Sequence, residues 1–117
     1  MRNLQIRRGH AVLFDHISEA VRYGEKLFGL LHEVAPGPGR GLLLVRCCAV
    51  HTMGMRYPID VVFLDQRGRI VGIRERLVPN RIAFEAGACH VLEVAAGNVC
   101  RLNLAQDDLL TVEQCDD

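Results

Sequence analysis

The run Ile59-Asp60-Val61-Val62-Phe63-Leu64-Asp65 is apolar on both alternating faces, interrupted only by the carboxylate at its second position. A strand of that composition faces water on neither side, so it belongs inside a sheet with other elements packed over both surfaces. Further short runs of strand character lie close to it, at 42–48, 50–55, 69–77 and 89–95. Several short strands without an alternating βαβα series point to a mainly β, α+β fold: an antiparallel or mixed sheet curled into a barrel or sandwich. Asp65-Gln66-Arg67-Gly68 reads as a tight hairpin connection, with Gly68 able to take a positive φ.

Towards the N-terminus, residues 4–14 mix apolar and basic side chains around a break at Gly9-His10 and read as one strand or two short ones. From 18 to about 31, Ala20, Val21, Leu27, Phe28 and Leu31 fall near helical spacing, with Asp15 or Ser18 as the cap. Gly24 and Gly29 weaken that helix by about 1 kcal/mol each. The Pro/Gly-rich stretch 36–41 is a loop joining helix to sheet; no Lys-Ser/Thr follows it, so it lacks the pattern of a phosphate cradle. Beyond residue 95, Ala96-Gly97 makes a turn, 98–104 a helical turn and 109–112 a final strand.

The chain is the size of one domain, 1–117, and its 50% hydrophobic and 24% charged residues are those of a folded protein. Fourteen basic and fourteen acidic residues leave no positive field for a phosphate backbone, which argues against nucleic-acid binding. Arg2, Arg7 and Arg8 form a small basic cluster that reads as a solvated strand face. The first eight residues have no signal-peptide core, and no apolar run approaches the roughly 20 residues of a membrane helix, so the expectation is a soluble cytoplasmic protein without membrane insertion. Five cysteines at irregular spacing suggest reduced thiols packed as small core residues.

The candidate site residues cluster around the central strand. Asp60 enters an apolar core and needs a partner: Arg46, Arg56, His51 or backbone N–H groups. Glu93, between Val91 and Ala95, raises the same question. If 47–55 were one straight strand, Cys47, Ala49, His51, Met53 and Met55 would share a face of soft ligands suited to Cu(I) or zinc. Cys47 and His51 would then lie about 13 Å apart, too far for one ion, so no metal and no cofactor is expected. A Cys-His-Asp nucleophilic set from Cys47 or Cys48, His51 and Asp60 would need an activated thiolate and an oxyanion site, neither visible here.

The order Gly29-Leu30-Leu31, Gly41-Leu42-Leu43-Leu44, Cys47, His51-Thr52, Met55-Arg56-Tyr57-Pro58 running on through Asp65, Gly68-Arg69-Ile70-Val71, Pro79, and Val91-Leu92-Glu93-Val94 with Gly97 resembles the domain-of-unknown-function 192 family, across about residues 10–112. The resemblance implies a barrel-like β domain with one or two helices and no established activity. Its hallmark positions here are His51, Thr52, Met55, Pro58, Asp60, Asp65, Glu93 and Gly97. Two positions depart from the family pattern. Gly54 stands where an aromatic residue is usual, which would open a pocket or loosen the strand. Asp107-Asp108 replaces the usual Gly-Asp turn, putting that turn in doubt and making Asp108 the family-equivalent carboxylate.

These residues support a non-catalytic domain that binds a small polar ligand or a peptide at a pocket lined by His51, Thr52, Met55, Arg56, Asp60 and Glu93. The alternative is a hydrolase or transferase using Asp60 or Glu93 with His51 as acid and base. A third class is a protein-interaction module pairing along the edge of 69–77, although Arg74, Glu75 and Arg76 would guard that edge. A monomer or weak homodimer is expected.

Overall fold

A computed structural model of the chain describes residues 3–20, 37 and 39–115. Along them run β1 (Asn3–Arg8), β2 (Ala11–Ala20), β3 (Arg40–Val45), β4 (Ala49–His51), β5 (Ile59–Leu64), β6 (Ile70–Leu77), β7 (Ile82–Phe84), β8 (His90–Ala95), a short helix α1 (Asn98–Leu102) and β9 (Thr111–Gln114). The apolar run is β5, and all six of its residues are buried. It lies between β6 and β8 in a seven-stranded sheet ordered β6-β5-β8-β3-β2-β1-β9, while β4 and β7 pair as a separate two-stranded sheet. The large sheet is mixed, because β2 and β3 run parallel and the other neighbours antiparallel.

The sheet curls until its two edges meet without closing into a continuous barrel. Contact is confined to the start of β6 and the segment entering β9. Ile70 N–H donates to Asp108 C=O at 2.8 Å, Asp107 N–H to Ile70 C=O at 2.9 Å and Leu110 N–H to Gly68 C=O at 2.8 Å, around an isolated bridge between Arg69 and Leu109. The expected barrel is therefore an open curl with a seam a few residues long. Gly68 is required at this seam: its φ is +91°, and a Cβ there would stand 2.1 Å from the Leu110 carbonyl oxygen.

Strand alternation divides the core in two. Inside the curl, Ile6, Phe14, Ile17, Leu43, Val62, Leu64, Leu92 and Val94 pack with Val99, Leu104 and Leu110. On the outer face, Leu42, Leu44, Ile59, Val61, Phe63 and Val91 are covered by Val50, Met55 and Ala83 from the small sheet and its approach. This double covering is what the composition of β5 demands.

Several expectations change. Residues 18–20, read as the start of a helix, complete β2; the rest of that segment lies outside the described residues. The strand over 50–55 stops at His51, because the chain turns through Gly54 at φ +80°. The shared face from Cys47 to Met55 therefore does not form: Met53 is exposed while Met55 is buried. Gly54 stands in a left-handed turn rather than a strand, a conformation that favours glycine. The turn at Asp107-Asp108 does form, with Asp107 at φ +73° and Asp108 N–H donating to Ala105 C=O. None of the five cysteines is buried as core filler; four are half-buried and Cys100 is exposed. The short strand β7 had no separate signal in the sequence.

Candidate functional site

Asp60 is the inward-facing residue at the beginning of β5, level with Val94 across the sheet. The pairing of β5 with β6 slips between Ile59 and Val61, where Arg76 adopts φ +52° and turns its N–H towards Asp60. Asp60 Oδ1 accepts that N–H at 2.8 Å, and Oδ2 accepts the N–H groups of Gly97 at 3.0 Å and Val99 at 2.8 Å. One carboxylate with no exposed surface thus ties a bulge to the start of α1. Among the partners foreseen for it, the backbone amides are the ones found. At the far end of α1, Arg8 donates to the carbonyls of Leu102 and Asn103 and to Asp108 Oδ2. Helix α1 is therefore clamped at both termini across one end of the curl.

The other predicted site residues lie elsewhere. Glu93 pairs with Leu42 on one side and Val61 on the other, so it faces the outer core while Asp60 faces the inner one. Beside it, burial together with the Glu93 charge pushes the Tyr57 phenol up to about 12. Thr52 has no exposed surface, and its hydroxyl is fully used, donating to Val78 C=O at 2.7 Å and accepting Arg81 N–H at 2.8 Å. His51 is half-buried, and its Nδ1 accepts Met53 N–H at 3.3 Å; Met55 packs in the outer core and Arg56 is exposed. The structure thus separates Asp60 from the other members of the set. Asp60, with no exposed surface and both oxygens accepting backbone N–H groups, is poorly placed to act as an acid or base.

Opposite the α1 end, the described residues leave the curl uncovered. A cavity of about 420 Å³ lies where β3 and β5 end and β8 begins, near Val45, Leu64 and His90, beside the hairpin at 66–68 and the segment 109–112. Its floor is apolar, made by Leu43, Leu64 and Leu110 of the inner core. Around it stand Glu19, Arg67 and His90. Glu19 lies level with Leu43, and His90 with Val45 and Leu64, so both polar residues point to the inner face at the rim. Burial lowers the His90 pKa, an effect partly opposed by the Glu19 charge, and the ring is neutral at pH 7. His90 Nδ1 accepts Arg46 N–H at 3.3 Å, which leaves the ring hydrogen on Nε2.

Sequence reasoning did not assemble this cavity. Glu19 fell within the expected helix, and His90 was not among the candidate site residues. The available signal was the alternation in β8, which sets His90, Leu92 and Val94 on one face against Val91 and Glu93 on the other. Among the described residues no group of three or more His, Cys, Asp or Glu could hold a metal ion. Nor is any described helix long and apolar enough to cross a membrane.

Among the described residues, a curled mixed sheet plugged at one end, with a cavity at the other, defines a small β-rich domain of a single compact body. Comparison with known proteins gives its family: the model of domain of unknown function 192 (DUF192, Uncharacterized ACR) matches residues 4–112, and the chain belongs to that family. Two solved structures share its fold. A Sinorhizobium meliloti 1021 protein described as a "putative transcription regulator" is 24% identical with a TM-score of 0.77, over 95% of this chain and 92% of that one. A protein of unknown function from Novosphingobium aromaticivorans DSM 12444 is 19% identical with a TM-score of 0.74, over 93% and 83%. No curated protein matches the chain.

Proposed function

We propose that the domain is a non-catalytic binding module that takes a small amphipathic molecule into the open end of its curled sheet. The observation that carries this reading is the cavity of about 420 Å³, whose floor is core leucine and whose rim holds a carboxylate, a guanidinium and a neutral imidazole. Binding sites commonly combine an apolar lining with a few convergent polar groups, and curled sheets hold ligands at their mouths. In this arrangement the apolar body of the ligand rests on Leu43, Leu64 and Leu110. Its polar head accepts from Arg67 and from His90 Nε2–H, or donates to Glu19. The reading keeps the small-ligand expectation and moves its location from the His51 side to the mouth. The regulator description of the structural neighbour is not carried over, since a formal net charge of zero supplies no general attraction to a phosphate backbone.

The test is a titration with anilinonaphthalene sulfonate, an amphipathic anion, followed by fluorescence and by amide NMR shifts. Saturable binding is expected, with the shifts concentrated at Gly68, His90, Leu110 and Thr111. Val45→Phe, which places a ring at the rim, should weaken it at least tenfold. Shifts centred on His51, Tyr57 and Glu93 would refute the mouth and return the site to the outer face.

A further inference from the structure

Three of the five cysteines meet at one place. Cys47, Cys48 and Cys89 line a second cavity of about 410 Å³, together with Arg46, Gln66 and His90. Immediately after β3, Arg46 at φ +57° breaks the ladder, and Cys47 re-engages the next chain by donating its N–H to Cys89 C=O at 2.9 Å. A single N–H···O bond of that length holds the two Cα atoms within roughly 7 Å of each other, which overlaps the roughly 4.4–6.8 Å that a disulfide spans. Cys47 packs against the outer core, as does Ala88, the residue before Cys89, while Cys89 itself is a bend residue immediately ahead of β8. The Cys48 carbonyl accepts Glu85 N–H at 3.0 Å.

We propose that Cys47 and Cys89 form a reversible disulfide in exchange with a small disulfide such as oxidised glutathione. All three thiols are half-buried rather than sealed in the core, so a small reagent reaches them from the cavity. Arg46, exposed at its edge, complements the carboxylates of that reagent. One protein thiolate attacks a glutathione sulfur, forming a mixed disulfide and expelling a glutathione thiolate. The second protein thiolate attacks the protein sulfur of that mixed disulfide and expels the other glutathione. The two cysteines are oxidised by two electrons, the glutathione disulfide is reduced, and the two thiol protons end on the released glutathiones. The step breaks the weak hydrogen bond that Cys47 Sγ donates to Ala49 C=O at 2.8 Å.

The experiment equilibrates the full chain with graded ratios of oxidised to reduced glutathione, alkylates the remaining thiols and maps the peptides. The expected result is a monomer lighter by two hydrogens with a Cys47–Cys89 linked peptide, reversed by excess reduced glutathione. Cys48→Ser should keep the link, and Cys89→Ser should stop at the mixed disulfide. Because the mapping is done on the unaltered chain, a variant that fails to fold does not decide the outcome. Full alkylation of Cys47 and Cys89 under the oxidised glutathione pool, or a link through Cys48 instead, overturns the proposal.

Discussion

The two ends of the curled sheet draw on the same strands and treat water in opposite ways. At one end, Asp60 and Arg8 hold the two termini of α1, so the polar groups there are spent on the protein's own backbone. At the other, Glu19, Arg67 and His90 border a cavity floored by core leucines. A buried carboxylate is therefore no guide to a binding site in this fold: the more completely amides satisfy it, the less it can offer a ligand.

The comparison is broken most directly at the plugged end. Asp60→Ala deprives the buried Val99 N–H and the part-buried N–H groups of Gly97 and Arg76 of their acceptor, and should destabilise the domain by about 3 kcal/mol in urea unfolding. A loss below about 1 kcal/mol would mean that Asp60 does not hold that end. Smaller and of opposite sign is Asp107→Gly at the seam. Relief of the left-handed backbone should raise stability by about 1 kcal/mol, read as a higher melting temperature; no gain would show that the aspartate side chain compensates for its φ.

At the open end, Glu19→Gln and Arg67→Ala should each change stability by less than about 0.5 kcal/mol while weakening probe binding several-fold. Equal losses of stability and binding would make the rim structural, like its counterpart. The smallest effect is a pH dependence. His90 has a pKa lowered from its ordinary value of 6.5, so below that pH the unfolded chain binds more protons than the folded one. Stability should therefore be level above about pH 6.5 and decline as the pH falls through the interval down to the folded pKa. His90→Gln should flatten that slope, and an unchanged slope would place its origin at another group.

Much of the sheet was legible because its signals are local. The apolar run became β5, the break at Gly9-His10 separates β1 from β2, and the 65–68 hairpin turns with Gly68 at positive φ as its chemistry requires. Asp65 at that turn accepts N–H groups from Arg67 and Arg69, which hold its carboxyl below its usual range. Residues 18–20 misled because Ser, Glu and Ala carry no strong strand preference, and their state follows from pairing with Leu42, Leu43 and Leu44. The candidate residues are divided between two faces for a related reason. Asp60 and Glu93 each look like a carboxylate in an apolar strand, and only register reveals that they occupy opposite faces of the sheet.

From the amino-acid sequence alone came the mainly β class, the doubly covered central strand, the hairpin and the family, because apolar periodicity and turn residues act over a few positions. Tertiary structure alone decided which end is plugged, where the sheet edges meet, and which polar residues converge. Those outcomes depend on pairings between residues far apart in the chain, such as Arg69 with Leu109 and Val45 with His90, whose geometry no local pattern encodes.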